Sequence, residues 1–203
     1  GMPKKNQRKS TTDWSNATTA NGLQDIEDTV VAASAEGVTI RYVVMHVADF
    51  SLLKKQKSTF DTLKAWVNSS SKILVTKNLI NEYLAEQEIP VKIITVNPAV
   101  RIEDSAHRRK TINPWERKRV CFLEDLKVGD IQHGPIAAES SATLQKIALM
   151  VKQDWILVTK WSELEPFKEW TKAEANAIPV VNDPDAMFIM KVDGKDWNAS
   201  EDT

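Results

Sequence analysis

The pentapeptide Ile73-Leu74-Val75-Thr76-Lys77 returns unchanged as Ile156-Leu157-Val158-Thr159-Lys160. A short apolar run closed by Thr-Lys reads as a strand buried on both faces that passes into a helix. Thr76 and Thr159 are then the natural helix caps, because a Thr oxygen satisfies an orphan helix N–H. Around both copies the grammar repeats. The first stretch predicts a strand over 38–47, a helix over about 58–69, a strand KILVT at 72–76, a helix at 77–88 and a strand over 89–96. The second predicts a helix over about 140–154, a strand WILVT at 155–159, a helix over 162–177, a strand IPVV at 178–181 and a short helix or strand over 183–192. Apolar runs alternating with helices indicate parallel strands joined by crossover helices, with function at the carboxyl ends of the strands.

The rest of the chain is organised around those stretches. Residues 1–21 are basic and then rich in Ser, Thr and Asn, and predict a disordered tail. A helix is expected over about 22–35, ending at Gly37. Residues 97–138 carry Pro98, Pro114 and Pro135 and a basic cluster, and are expected to be an enlarged insertion with one helix near 114–126. A single domain over 22–192 and a frayed acidic tail over 193–203 complete the division. The 42% hydrophobic and 27% charged composition is that of a globular protein, and a net charge of −1 leaves only local basic surface for an anionic partner. The single Cys121 excludes an internal disulfide, and no apolar run is long enough to span a bilayer. An intracellular protein, cytoplasmic or nuclear and without membrane attachment, is expected.

The ordered set of phrases resembles the PIN-domain nucleases. KILVTKNLINEYLAEQEIP is similar to the family's second strand and following helix, whose "hLVTxxhhxEh" phrase carries an acidic metal ligand. RYVVMHVADFSLL stands in the place of its first strand, and the segment from SATLQKIALMVKQDWILVTKW to IPVVNDPDAMF resembles its closing half. The likeness runs over about residues 38–192. It implies a three-layer α/β/α fold with a central, mainly parallel sheet of four to five strands. It also implies carboxylates converging on Mg²⁺ or Mn²⁺ to cut single-stranded RNA. Carried over residue by residue, only Glu82 keeps its place as a metal ligand. Met45 stands where the first Asp belongs, Val47 where the Asn of that motif belongs, and Trp161 where the acid after the second LVT phrase belongs. Asp49, Glu139 and Glu163 lie nearby as substitutes.

Two functional expectations follow from the resemblance. In the first, the site is degenerate, no cofactor is held, and the domain is an RNA-associated or protein-interaction module of RNA processing or decay. In the second, Glu82, Asp49, Glu139 and Glu163 form a rearranged Mg²⁺- or Mn²⁺-dependent ribonuclease site. An α/β domain of another lineage stays open as a third reading. Single-stranded RNA or a protein of an RNA-processing complex is the expected partner, with a homodimer also open. The expected RNA contacts are Arg108, Arg109, Lys110, Arg117, Lys118 and Arg119, with Trp161 either stacking a base or anchoring a protein partner, or else plugging the emptied metal pocket. The alternative for the cations is a solvated face balanced by neighbouring acids. His46 reads as a structural histidine, with a general base or an RNA contact as the alternative, and Cys121, in an apolar stretch, as a small buried hydrophobe.

Overall fold

The computed structural model describes residues 2–68, 73–89, 91–103, 108–140, 149–165 and 167–197. The chain divides into two compact units, one formed by Gly1–Leu126 with Asp183–Thr203 and the other by Lys127–Asn182. The first unit runs through β1 (Gln7–Lys9), α1 (Gly22–Ala35), β2 (Tyr42–His46), α2 (Val47–Lys55), α3 (Lys57–Trp66), α4 (Lys77–Glu86), β3 (Lys92–Val96), β4 (Val100–Glu103), β5 (Arg109–Ile112) and β6 (Arg119–Leu123). The second holds β7 (Gly129–His133), β8 (Leu149–Gln153), β9 (Ile156–Leu164), β10 (Phe167–Glu174) and β11 (Ala177–Val181). The chain then returns to the first unit as β12 (Met187–Lys191).

The first unit is built on a five-stranded sheet in the order β1-β12-β6-β2-β3. Its directions are mixed: β1 with β12 and β2 with β3 are parallel, whereas β12 with β6 and β6 with β2 are antiparallel. Val43 to His46 of β2 are all buried, as a strand with cover on both faces requires. α2, α3 and α4 make the crossover from β2 to its parallel neighbour β3. Ile80 and Leu84, four residues apart on α4, and Leu63 of α3 go into the core with Met45, Ile93, Phe122 and Phe188.

This architecture replaces the expected three-layer α/β/α fold with its mainly parallel sheet. β6 comes from the segment read as an insertion, yet it lies at the centre of the main sheet where a helix near 114–126 was expected. The two copies of the pentapeptide fold differently. Ile73 to Thr76 form no strand: Leu74 is 81% exposed, Val75 is buried, and Thr76 Oγ1 accepts from Leu79 N–H at 3.2 Å to cap α4. The second copy opens β9, the middle strand of an antiparallel sheet in the order β10-β9-β8. Most of the helix expected over 140–154 lies outside the described residues, but its last part, Leu149–Gln153, is strand β8. The helix expected over 162–177 is instead the end of β9 and all of β10. Its Glu, Lys and Ala content favours helix. Cross-strand pairing overrides that preference by setting Trp161 opposite Trp170 and Glu163 opposite Lys168.

Residues 2–20, expected to be unfolded, are structured. β1 adds an edge strand beside β12, pairing Gln7 with Ile189, and Ser10 N–H donates to Lys191 O at 2.8 Å. Trp14 is 1% exposed, and its indole Nε1–H donates to the buried Asp25 carboxylate at 2.8 Å. Gly22 makes room for it, since a Cβ there would stand 2.5 Å from Leu53 Cδ1 and 3.0 Å from Trp14 Cε2. Near the other terminus, Trp197 Nε1–H donates to Arg8 O at 2.6 Å, while residues 198–203 lie outside the described ones. Composition could not reveal pairings of such sequence separation.

Trp14→Ala is therefore expected to cost about 3–5 kcal/mol, as for other large buried aromatics. Urea unfolding of the full chain checks this; a loss below about 1 kcal/mol would show that the N-terminal segment is dispensable to the core.

Candidate functional site

The rim at the end of β2, where metal chemistry was expected, is occupied by structural contacts. Met45 is wholly buried in the core. His46 caps α2: its Nδ1 accepts from Ala48 N–H at 3.0 Å, and its Nε2 lies 2.9 Å from Asn113 Nδ2. Asp49, in the first turn of α2, has no exposed side-chain surface. Its Oδ1 accepts from Arg117 Nε and Nη2 at 3.2 and 3.0 Å, and its Oδ2 from Lys118 N–H at 3.0 Å. A buried carboxylate is tolerated because donors surround it, and here they fix the strap that leads into β6. Lys118 holds a left-handed φ of 61° in that strap and donates from Nζ to Asp13 at 2.9 Å.

The other expected ligands each have their own setting. Glu82 is exposed on α4. Glu163 is exposed on β9 opposite Lys168, and Glu139 pairs with Lys152 at 2.7 Å, both in the second unit. Among the described residues no three His, Cys, Asp or Glu side chains are placed to hold a metal ion. The basic cluster is also split. Arg117 and Lys118 are committed to Asp49 and Asp13, and Arg119 pairs with Glu116 at 2.9 Å and lies over the Trp197 ring at 4.8 Å. Arg108, Arg109 and Lys110 are exposed at the start of β5 and just before it. His107 lies outside the described residues. Cys121 sits on β6 between Val44 and Ile189, and burial pushes its thiol up to about 11.

Sequence reasoning missed the surface of the second unit. Strand alternation and register put Leu149, Val151, Ile156, Val158 and Phe167 on one face of the β8–β9–β10 sheet, interspersed with Lys160, Ser162, Glu169 and Thr171. Leu149 is 65% and Phe167 68% exposed, and Val151 and Ile156 are exposed as well. The opposite face buries Leu157 and Thr159 and carries the stacked pair Trp161 and Trp170, 6.4 Å between centroids and 17° apart. Trp161 is thus a cross-strand packing partner. The β7–β11 ribbon repeats the pattern with Ile131, Pro179 and Val181 exposed on one face. The available signal was the alternation of 149–158, which reads equally as a helix face when its neighbours are polar. Exposed apolar side chains on such faces fit a contact with another surface.

The sequence profile of the family Phage major capsid protein E matches residues 1–192. No curated protein matches the chain. Among solved structures, one described as the capsid protein of a prophage in E. coli CFT073 is 15% identical, with a TM-score of 0.59 over 95% of this chain and 54% of that one. A phage-related protein from Bordetella bronchiseptica RB50 is 13% identical, with a TM-score of 0.48 over 93% of this chain and 56% of that one. The chain therefore spans just over half the length of these relatives. The profile and the first fold likeness overturn the PIN resemblance, and with it the ribonuclease, the RNA-processing module and the RNA partner it implied.

Two outcomes test the rim as a structural knot. Asp49→Asn keeps the shape but removes the charge-assisted bonds, and is expected to cost about 1.5–3 kcal/mol in urea unfolding; unchanged stability would contradict the knot. The raised Cys121 thiol predicts slow alkylation at pH 8 in the folded chain and fast alkylation in urea. Below the ordinary thiol value of 9.0 both states keep the proton, and from there to about 11 only the unfolded chain loses it, so stability falls as pH rises through that window.

Proposed function

We propose, from the premise that this chain belongs to the phage major capsid protein E family, that it forms the shell of a phage capsid by associating with copies of itself. The observation that supports this most is the open apolar face of the β8–β9–β10 sheet. Sheets of two or three strands are marginal in water unless a face is packed, and exposed apolar residues such as Val151 and Ile156, beside the half-buried Val158, favour association. A shell subunit meets that need, because each copy finds its missing cover on its neighbours. Association is concentration-dependent and takes place in the cytoplasm of the infected host cell. Among the described residues no helix is long and apolar enough to cross a membrane.

Sedimentation velocity over a range of concentrations tests the proposal. Leu149→Ser and Phe167→Ser leave the fold of the free chain intact, because both side chains are exposed. Each is expected to remove about 1.5 kcal/mol of buried contact and weaken association roughly tenfold. A chain that stays monomeric at all concentrations, or variants that associate as strongly as the parent, would contradict it.

A further inference from the structure

This inference rests on the shell-subunit reading and names one contact within it. Among the described residues β4 and β5 pair with each other and with no other strand, and every residue of both is exposed. Their register sets Val100 opposite Ile112 and Ile102 opposite Lys110 on one face. Arg101 with Thr111 and Glu103 with Arg109 form the other. One face is thus three β-branched apolar residues and a cation. A lone two-stranded ribbon of this kind is marginal in water and gains most from a surface that offers apolar contact beside negative charge.

α1 has that surface. Gln24, Asp28, Val31 and Ala35 recur at helical spacing and are all exposed, with Val31 at 64%. The helix contains no Lys or Arg, and Glu27 flanks the stripe one position before Asp28. Asp28 accepts from Gln24 Nε2 at 3.0 Å, and among the described residues neither acid is ion-paired. The Glu27 carboxyl is held above its ordinary range, first by burial and then by the charge of Asp28. A cation brought to this pair offsets the charge of Asp28 and favours the ionised Glu27.

We infer that the Val100–Ile102–Ile112 face of the β4–β5 ribbon in one copy docks along the α1 stripe of a second copy, with Lys110 beside Glu27 and Asp28. The dimensions agree: a four-residue strand extends about 13 Å, and the stripe from Gln24 to Ala35 about 16 Å. The two patches differ, so the contact is heterologous and propagates head to tail into rings or sheets of copies rather than closing as a pair. The area is small. Its strength in a shell comes from repetition together with the apolar sheet faces.

Reversing charge on each side tests it. Lys110→Glu and Asp28→Lys, made in separate full-length chains, are each expected to weaken self-association about tenfold. Mixing the two variants brings an acidic ribbon to a basic helix and restores association to within roughly threefold of the parent. A second readout is covalent. In a Cys121→Ser background, chains with Ile102→Cys mixed with chains with Val31→Cys are expected to form disulfide-linked pairs under mild oxidation. Parent association that ignores both charge reversals and yields no cross-link overturns the docking and leaves the shell reading standing. A parent that does not associate overturns both. A cross-link seen only inside a single chain carrying both cysteines places the ribbon on its own helix and also overturns the inference.

Discussion

A three-stranded antiparallel sheet is stable when at least one face is covered and the other tolerates water. The β8–β9–β10 sheet covers Leu157 and Thr159 on one face and leaves Leu149, Val151, Ile156 and Phe167 open on the other. That open face is the constraint from which the functional reading follows. In a lone protein it is a liability, because exposed apolar strands invite association. In a protein whose task is association, the same face is the means.

The first unit has the complementary character. Its five strands enclose a core from Trp14 to Val192, and the ends of the chain are pinned to each other through β1 and β12. Asp49 ties the strap before β6 to the first turn of α2, and Lys118 ties that strap to Asp13 in the N-terminal segment. These contacts are distant in sequence, buried or half-buried, and made within one chain. A folded base of this kind can present strands and helices to neighbours without first acquiring structure from them.

The sequence made some of this legible. β2 and β3 are apolar runs with helices between them, and they are parallel neighbours as such a pattern requires. α1, α3 and α4 carry their apolar residues at helical spacing. The failures have a common cause, which is partners distant in sequence. The same five residues lead into α4 at 73–77 and start β9 at 156–160, because Ile80 and Leu84 continue one copy as a helix face while β8 and β10 flank the other. The PIN likeness arose from this local grammar of strand and helix, which many α/β chains share. Its functional half depended on carboxylates converging, and Asp49 proved to be a structural anchor while Glu82 and Glu163 stayed on the surface. The open faces were hidden because Leu149 and Phe167 look like core residues in sequence, and only the register shows that they are not.

Amide hydrogen exchange, compared between the dilute chain and its assembled form, tests the central claim most directly. The account predicts that β2, β6 and β12 are protected in both states. It also predicts that amides of β8, β9 and β10 exchange fast in the dilute chain and gain protection on assembly, because their packing is completed by neighbours. Equal protection of β8 to β10 in both states would contradict it, since the sheet would then have no need of a second copy.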